Sequence, residues 1–258
     1  MTVLLVSMLA MAARAEGDAA QGDALDRRLA GQLEALGSEK YEARTEATVR
    51  LLADTSISED TIVQMYARAT SVEQRERLLD IARHHLLRRL RIKLSPGSED
   101  GSIGIYPAPM PRQALRKLRQ PAIQVRRTLP GFPAYERLQA GDLILEIDGR
   151  RLGQKANGPD LSIQFVQMIK AKKAGRRIRL SILRYDQPKT VIVELAGRSA
   201  LEAIYPEHRM IMRARGQPLP GLAAPAAVSW KRLHERLQAV APPTRRLEFD
   251  VAAAAAGQ

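Results

Sequence analysis

The chain has 258 residues, 45% of them apolar, which is enough length for one or two domains and enough apolar material for ordinary cores. It has no cysteine, which excludes disulfides, thiolate nucleophiles, cysteine-held zinc and a lipidated cysteine anchor. The formal charge of +13 gives a basic surface, but aromatics make up only 4%, so acidic peptides or anionic surfaces suit it better than nucleic acid, whose single strands need stacking platforms.

Residues 3 to 13, VLLVSMLAMAA, form an apolar run too short for the ~20 residues that span a bilayer. Ala13 and Ala15 supply small residues ahead of an expected cleavage before Glu16. Residues 1–15 therefore read as an export signal, atypical in having no basic residue before the run, and the mature protein as periplasmic or extracellular. No other segment is long and apolar enough to cross a membrane.

From 24 to 94 the apolar period is helical. Leu25, Leu29, Leu33 and Leu36 predict a first helix closed by Gly37, and Ser38 is expected to cap a second running through Ala53. Ser58 starts a third, and Ser71 with Gln74 forms a capping box for a fourth carrying Leu78, Leu79, Ala82, Leu86, Leu87 and Leu90. The run LGSxxYxxRxxAxxxL over residues 36 to 51, followed by two more helices, resembles one HEAT-like unit; a plain α-hairpin bundle fits the same pattern. The pair His84-His85 points about 100° apart on a helix and cannot grip one metal, so one imidazole is expected at the core edge and the other in solvent. Residues 95 to 102, SPGSEDGS, read as a linker.

The stretch 121–152 is a chain of explained turns. Ile123, Val125 and Leu129 open a strand, Pro130-Gly131 turns it, and Pro133 begins a one-turn helix ending near Leu138. Gly141-Asp142 releases a strand from Leu143 to Ile147, which Asp148-Gly149 closes as a hairpin. The series PGxPA, short helix, GDxIxxIxG and hairpin resembles a PDZ domain of the bacterial HtrA-type kind, over about residues 100–197. A short helix over residues 111 to 119, a helix from Asp160 to Lys172, and two last strands over Ile178 to Arg184 and Thr190 to Leu195 with Asp186-Gln187 between them complete the pattern.

That resemblance implies a site. Ser102, Ile103, Gly104 and Ile105 stand where the family carries its carboxylate-binding loop, with Ser102 in place of a bulkier residue, and Arg137 stands where a glycine is common. A peptide would add as a strand beside this loop, its carboxylate held by backbone N–H groups. Glycine at 104 is then expected to form the N–H nest, so a valine there should block binding and leave stability nearly unchanged. On the helix after Asp160, Leu161, Phe165, Met168 and Ile169 are assigned to the core, and Ile163, Val166 and Lys170 to the peptide groove, with Lys170 selecting acidic peptides.

The overall expectation is multidomain α + β: an N-terminal helical module (24–94), a PDZ-like small antiparallel β-barrel or sandwich with two helices (100–197), and a Pro/Ala-rich extension (198–258) with one short amphipathic helix over Val228 to Val240 and one strand over Leu247 to Val251. With no G-x-S-x-G and no H-E-x-x-H, the chain reads as a non-catalytic adaptor for protein C-termini or extended peptides, without cofactor or metal. The competing readings are a PDZ unit used only for packing and a scaffold for acidic polymers, whose best patch is Lys170, Lys172, Lys173, Arg176, Arg177 and Arg179.

Overall fold

The computed structural model describes residues 27–95, 99–110, 118, 120–153, 161–206 and 222–242. The expected signal segment and the strand over 247–251 lie outside these residues, and the helix over 111–119 almost wholly so. Helix α1 covers 27–36 and is followed by α2 (Tyr41–Ala53), α3 (Glu59–Arg68) and α4 (Val72–Leu94). The Ser58 hydroxyl accepts from Thr61 N–H at the head of α3, and Ser71 and Gln74 form the capping box of α4. Ser38 does not cap α2. The N-cap is Lys40, which donates no side-chain bond, and Ser38 instead sits in the turn before it.

Leu29, Leu33, Leu36, Leu51, Ile62, Met65 and Leu78 fill one core between these helices. Gln74 is buried at its edge, where its amide nitrogen donates to the Leu33 carbonyl at 2.7 Å. The last helix, α8 (Ala224–Val240), returns to pack on α3 and α4 and adds Leu233 and Leu237 to that core. It begins four residues earlier than the apolar stripe predicts, because Pro225 fits the first turn, where no N–H is needed.

The central unit is an antiparallel sheet in the order β2 (Ile105–Pro109), β3 (Ile123–Thr128), β4 (Leu143–Ile147), β6 (Arg177–Arg184), β7 (Gln187–Glu194), with β5 (Arg150–Arg151) paired to β4. Helix α5 (Ala134–Arg137) follows β3, and α6 (Leu161–Lys170) covers the sheet with Phe165 and Ile169. A two-stranded pair, β1 (Gly101–Ser102) with β8 (Ala196–Gly197), joins the two ends of the unit.

Asp142, expected as a turn residue, is only 2% exposed. It accepts two bonds from the Arg184 guanidinium, at 2.8 and 2.7 Å, and one from Gln139 N–H, so the strand start is pinned by a buried, fully satisfied pair. The β6–β7 turn is Tyr185-Asp186, one residue before the expected position, because Arg184 pairs with Gln187. Both turn residues have positive φ, 52° and 61°, in a two-residue hairpin that favours Asn-Gly. Tyr185 is 83% exposed and loses no packing if changed. Tyr185→Asn with Asp186→Gly is therefore expected to stabilise the fold by about 1–2 kcal/mol. A urea midpoint that does not rise would contradict this.

The described end of the segment read as a linker, residues 99–102, is tied down. Glu99 accepts from Ser199 N–H at 2.7 Å and from its hydroxyl at 2.8 Å, and Gly101-Ser102 is strand β1. Residues 198–206 also carry structure that was not expected: α7 (Arg198–Ile204) buries Ala200, Leu201 and Ile204. Tyr205 follows, 2% exposed, with its hydroxyl donating to the Pro130 carbonyl at 3.0 Å.

Leu87 of α4, Tyr106, Leu129 and Phe132 of the central unit, and Leu201, Ile204 and Tyr205 form a joint core between helices and sheet. Both histidines lie beside it, 0% and 3% exposed, so neither is solvated as expected. Gly131 N–H donates to His84 Nδ1 at 3.0 Å, which leaves the proton on Nε2, 3.2 Å from Glu136 Oε1. His85 Nε2 donates to the Leu51 carbonyl at 2.9 Å. Burial pushes the His85 pKa down to about 4 and lowers that of His84 too.

An unfolded histidine titrates near ~6.5, so between pH ~6.5 and ~4 the unfolded chain binds a proton that the folded protein refuses. The stability from His85 is thus fully present above pH ~6.5 and is lost as the pH falls to about 4, roughly 3 kcal/mol in all. Urea titrations at stepped pH should show this fall, and His85→Gln should flatten it. A variant that keeps the wild-type slope would contradict the assignment.

Candidate peptide groove

Gly104 has φ of +72°, the left-handed region that glycine enters without strain. The Ile103 carbonyl accepts from Ala134 N–H at 3.2 Å and the Gly104 carbonyl from Leu129 N–H at 2.9 Å, so both carbonyls face the body of the domain. In a trans peptide the N–H points opposite to the C=O of the same unit. The N–H groups of residues 104 and 105 are therefore directed away from the carbonyls' partners, on the same side of the loop. Gly101 N–H donates to the Lys172 carbonyl at 2.7 Å, which fixes this loop to the C-terminal end of α6.

A groove of about 50 Å³ runs between the loop, β2 and α6. Ser102, Ile103, Gly104, Ile105, Val166 and Lys170 line it. Ile163 does not: it is 50% exposed and turns away from the sheet, since it lies three residues before Val166 on the helix and thus about 60° round from it. Phe165 and Ile169 line the groove while also packing in the core, because the groove floor is the core's own surface. Periodicity alone divides a helix into faces and misses such double use.

Pro107 lines the groove from β2, and Arg198 and Leu201 reach it from α7, beyond the expected end of the domain. Among the described lining residues the two charged ones are Lys170 and Arg198, both cations. Lys170 lies at the end of α6, two residues before Lys172, whose carbonyl holds Gly101. Arg198 is held by Glu202 at 2.8 Å with its side chain 30% exposed.

A larger hollow of about 220 Å³ lies elsewhere, beside Asp142 and Arg184 and under the Tyr185-Asp186 turn. It is a weaker candidate for a carboxylate, because its one cation, Arg184, is already bound to Asp142 and Asp186 adds a second negative charge. The proposed polyanion patch is likewise interrupted by carboxylates. Lys172 pairs with Asp148 at 2.5 Å, Lys173 with Asp100 at 3.3 Å, and Arg177 with Glu194 at 3.9 Å. Among the described residues no helix is long and apolar enough to cross a membrane.

The PDZ domain family model matches residues 91–183. Solved structures with similar regions include an HtrA-type protease AlgW with decapeptide, at 21% identity and TM-score 0.30 over 37% of this chain and 29% of that one. Another is the same protease with a tripeptide, at 20% identity and TM-score 0.32 over 37% and 31%. A third is the serine endoprotease from Yersinia pestis, at 22% identity and TM-score 0.27 over 37% and 28%. The chain thus spans less than a third of each of these structures. No curated protein matches it. The middle of the chain is a PDZ domain, a peptide-binding module, and that assignment rests on the family match.

Proposed function

We propose that this PDZ domain captures the carboxyl termini of other proteins, within an exported, non-catalytic adaptor. The observation that carries the reading is the loop at Gly104, whose carbonyls are bonded into the body and which lines a groove together with Lys170 and Arg198. Aligned donors beside an apolar slot that Lys170 and Arg198 also line suit a terminal carboxylate. The slot also limits the last side chain. At about 50 Å³ it is well under the ~150 Å³ that accepts benzene, so a small aliphatic residue fits better than an aromatic one.

Burying such a side chain contributes ~1.5 to 3 kcal/mol, and micromolar affinity, roughly -8 kcal/mol, is the expected scale. The adaptor part of the reading is supported by the helical module joined to the domain through Leu87, and export by residues 3–15.

A library of peptides with randomised free ends tests this reading. Enrichment for small aliphatic last residues is expected. Enrichment for acidic stretches regardless of the end, with binding that falls steeply as salt rises, would instead favour the polyanion scaffold.

A further inference from the structure

The edge of β2 that faces away from β3 restricts how much of a guest the groove can hold. This strand pairs with β3 on one side and, among the described residues, ends the sheet on the other. The Gly104 carbonyl accepts from Leu129 N–H, and Met110 N–H donates to the Ala122 carbonyl, so residues 104 and 110 both turn their backbone groups toward β3. Backbone groups alternate sides along an extended strand, which turns 106 and 108 inward as well and leaves 105, 107 and 109 facing outward. The register shift between Tyr106 and Pro107 does not disturb that count, since the skipped residue, Arg126, is on β3.

The outward residues are Ile105, Pro107 and Pro109, and proline has no N–H. Their position explains why prolines are tolerated here: within a sheet, proline is confined to edge strands and bulges. A strand added beside β2 normally exchanges two bonds with each outward residue, one in each direction. Opposite Pro107 and Pro109 the guest can donate to a carbonyl, but its own carbonyl meets no donor. Every further pair of guest residues therefore adds half a rung and leaves an acceptor unsatisfied by protein.

We infer that the groove takes only the last two or three residues of a carboxyl-terminal tail and does not hold an extended or internal strand. This rests on the reading that the groove binds carboxyl termini. Affinity then comes from the carboxylate nest and the last side chain. Upstream residues add little.

The test uses the full chain and nested synthetic peptides of three, five, seven and ten residues, all ending in the best free carboxyl-terminal sequence from the screen. Dissociation constants within about threefold across the series are expected. Tightening of about tenfold or more between three and seven residues would overturn the inference while leaving carboxyl-terminal capture standing. Binding by no free-ended peptide of any length would overturn both. Pro107→Ala restores an N–H at the edge, and Pro109→Ala does so one rung further on. Either variant, if it melts as the wild type does, should bind the seven-residue peptide several-fold more tightly than the tripeptide. A length profile as flat as the wild type's in both variants would show that the prolines do not set it.

Discussion

Gly104→Val is expected to destabilise the whole protein by about 2–5 kcal/mol and lower its melting midpoint by roughly 5–20 °C, with peptide binding lost as a consequence. Two costs add. A β-branched residue at φ of +72° costs ~1–2 kcal/mol in backbone strain. A Cβ at this position would also lie 2.2 Å from the Cβ and 2.5 Å from the Cγ of Phe132, which is fully buried against Tyr205 and cannot yield without moving the joint core. Such overpacking costs ~1–3 kcal/mol. The sequence suggests a different outcome, blocked binding at normal stability, because a glycine in a loop carries no sign of what lies behind it. Calorimetry decides between them: a wild-type midpoint with lost binding would contradict the packing argument.

Leu87→Ala should lower the stability of helices and PDZ domain together, by about 2–5 kcal/mol. Leu87 is 0% exposed and projects from α4 into the core shared with Leu129, Phe132, Leu201 and Tyr205. Its neighbour Gly131 approaches so closely that an added Cβ would meet the Leu87 Cβ at 2.5 Å, so the site has little freedom to collapse around a cavity. Because the residue belongs to both units, unfolding should remain one cooperative transition at a lower midpoint. A split into two transitions, with the sheet melting as in the wild type, would show that the two units do not depend on each other.

Local chemistry explains which parts of the fold were legible. Strand β4 lies over Leu143–Ile147 as read, since Gly141 on one side and Asp148-Gly149 on the other leave no other bounds. The capping box at Ser71 and Gln74 is likewise a signal contained in four residues. What escaped depends on partners far along the chain. Asp142 looks like a turn residue until Arg184 is brought to it, and the histidine pair looks half solvated until Leu51, Gly131 and Glu136 close around it. Helix α7 is seven residues long without a capping side chain, too short for its apolar period to stand out beside the proline-rich stretch that follows.

The groove divides in the same way. Its loop and the Val166–Lys170 face follow from the family resemblance and helical spacing. The exclusion of Ile163 and the double role of Phe165 depend on the angle at which α6 meets the sheet. Arg198 and Leu201 come from beyond the expected domain end, so no reading confined to residues 100–197 places them. The prolines of β2 were visible from the start, but their consequence needs the strand's pairing side, which only the hydrogen bonds at Gly104 and Met110 supply.

Carboxyl-terminal capture is tested most directly by calorimetric titration of the full chain with two peptides of identical sequence, one ending in a free carboxylate and one amidated. Hydrogen bonds to a charged acceptor are worth ~1.5–3 kcal/mol, so the free-ended peptide should bind about 10- to 100-fold more tightly. Equal dissociation constants for the two would contradict the account, because the nest proposed at Gly104 would have no reason to ignore a terminal charge.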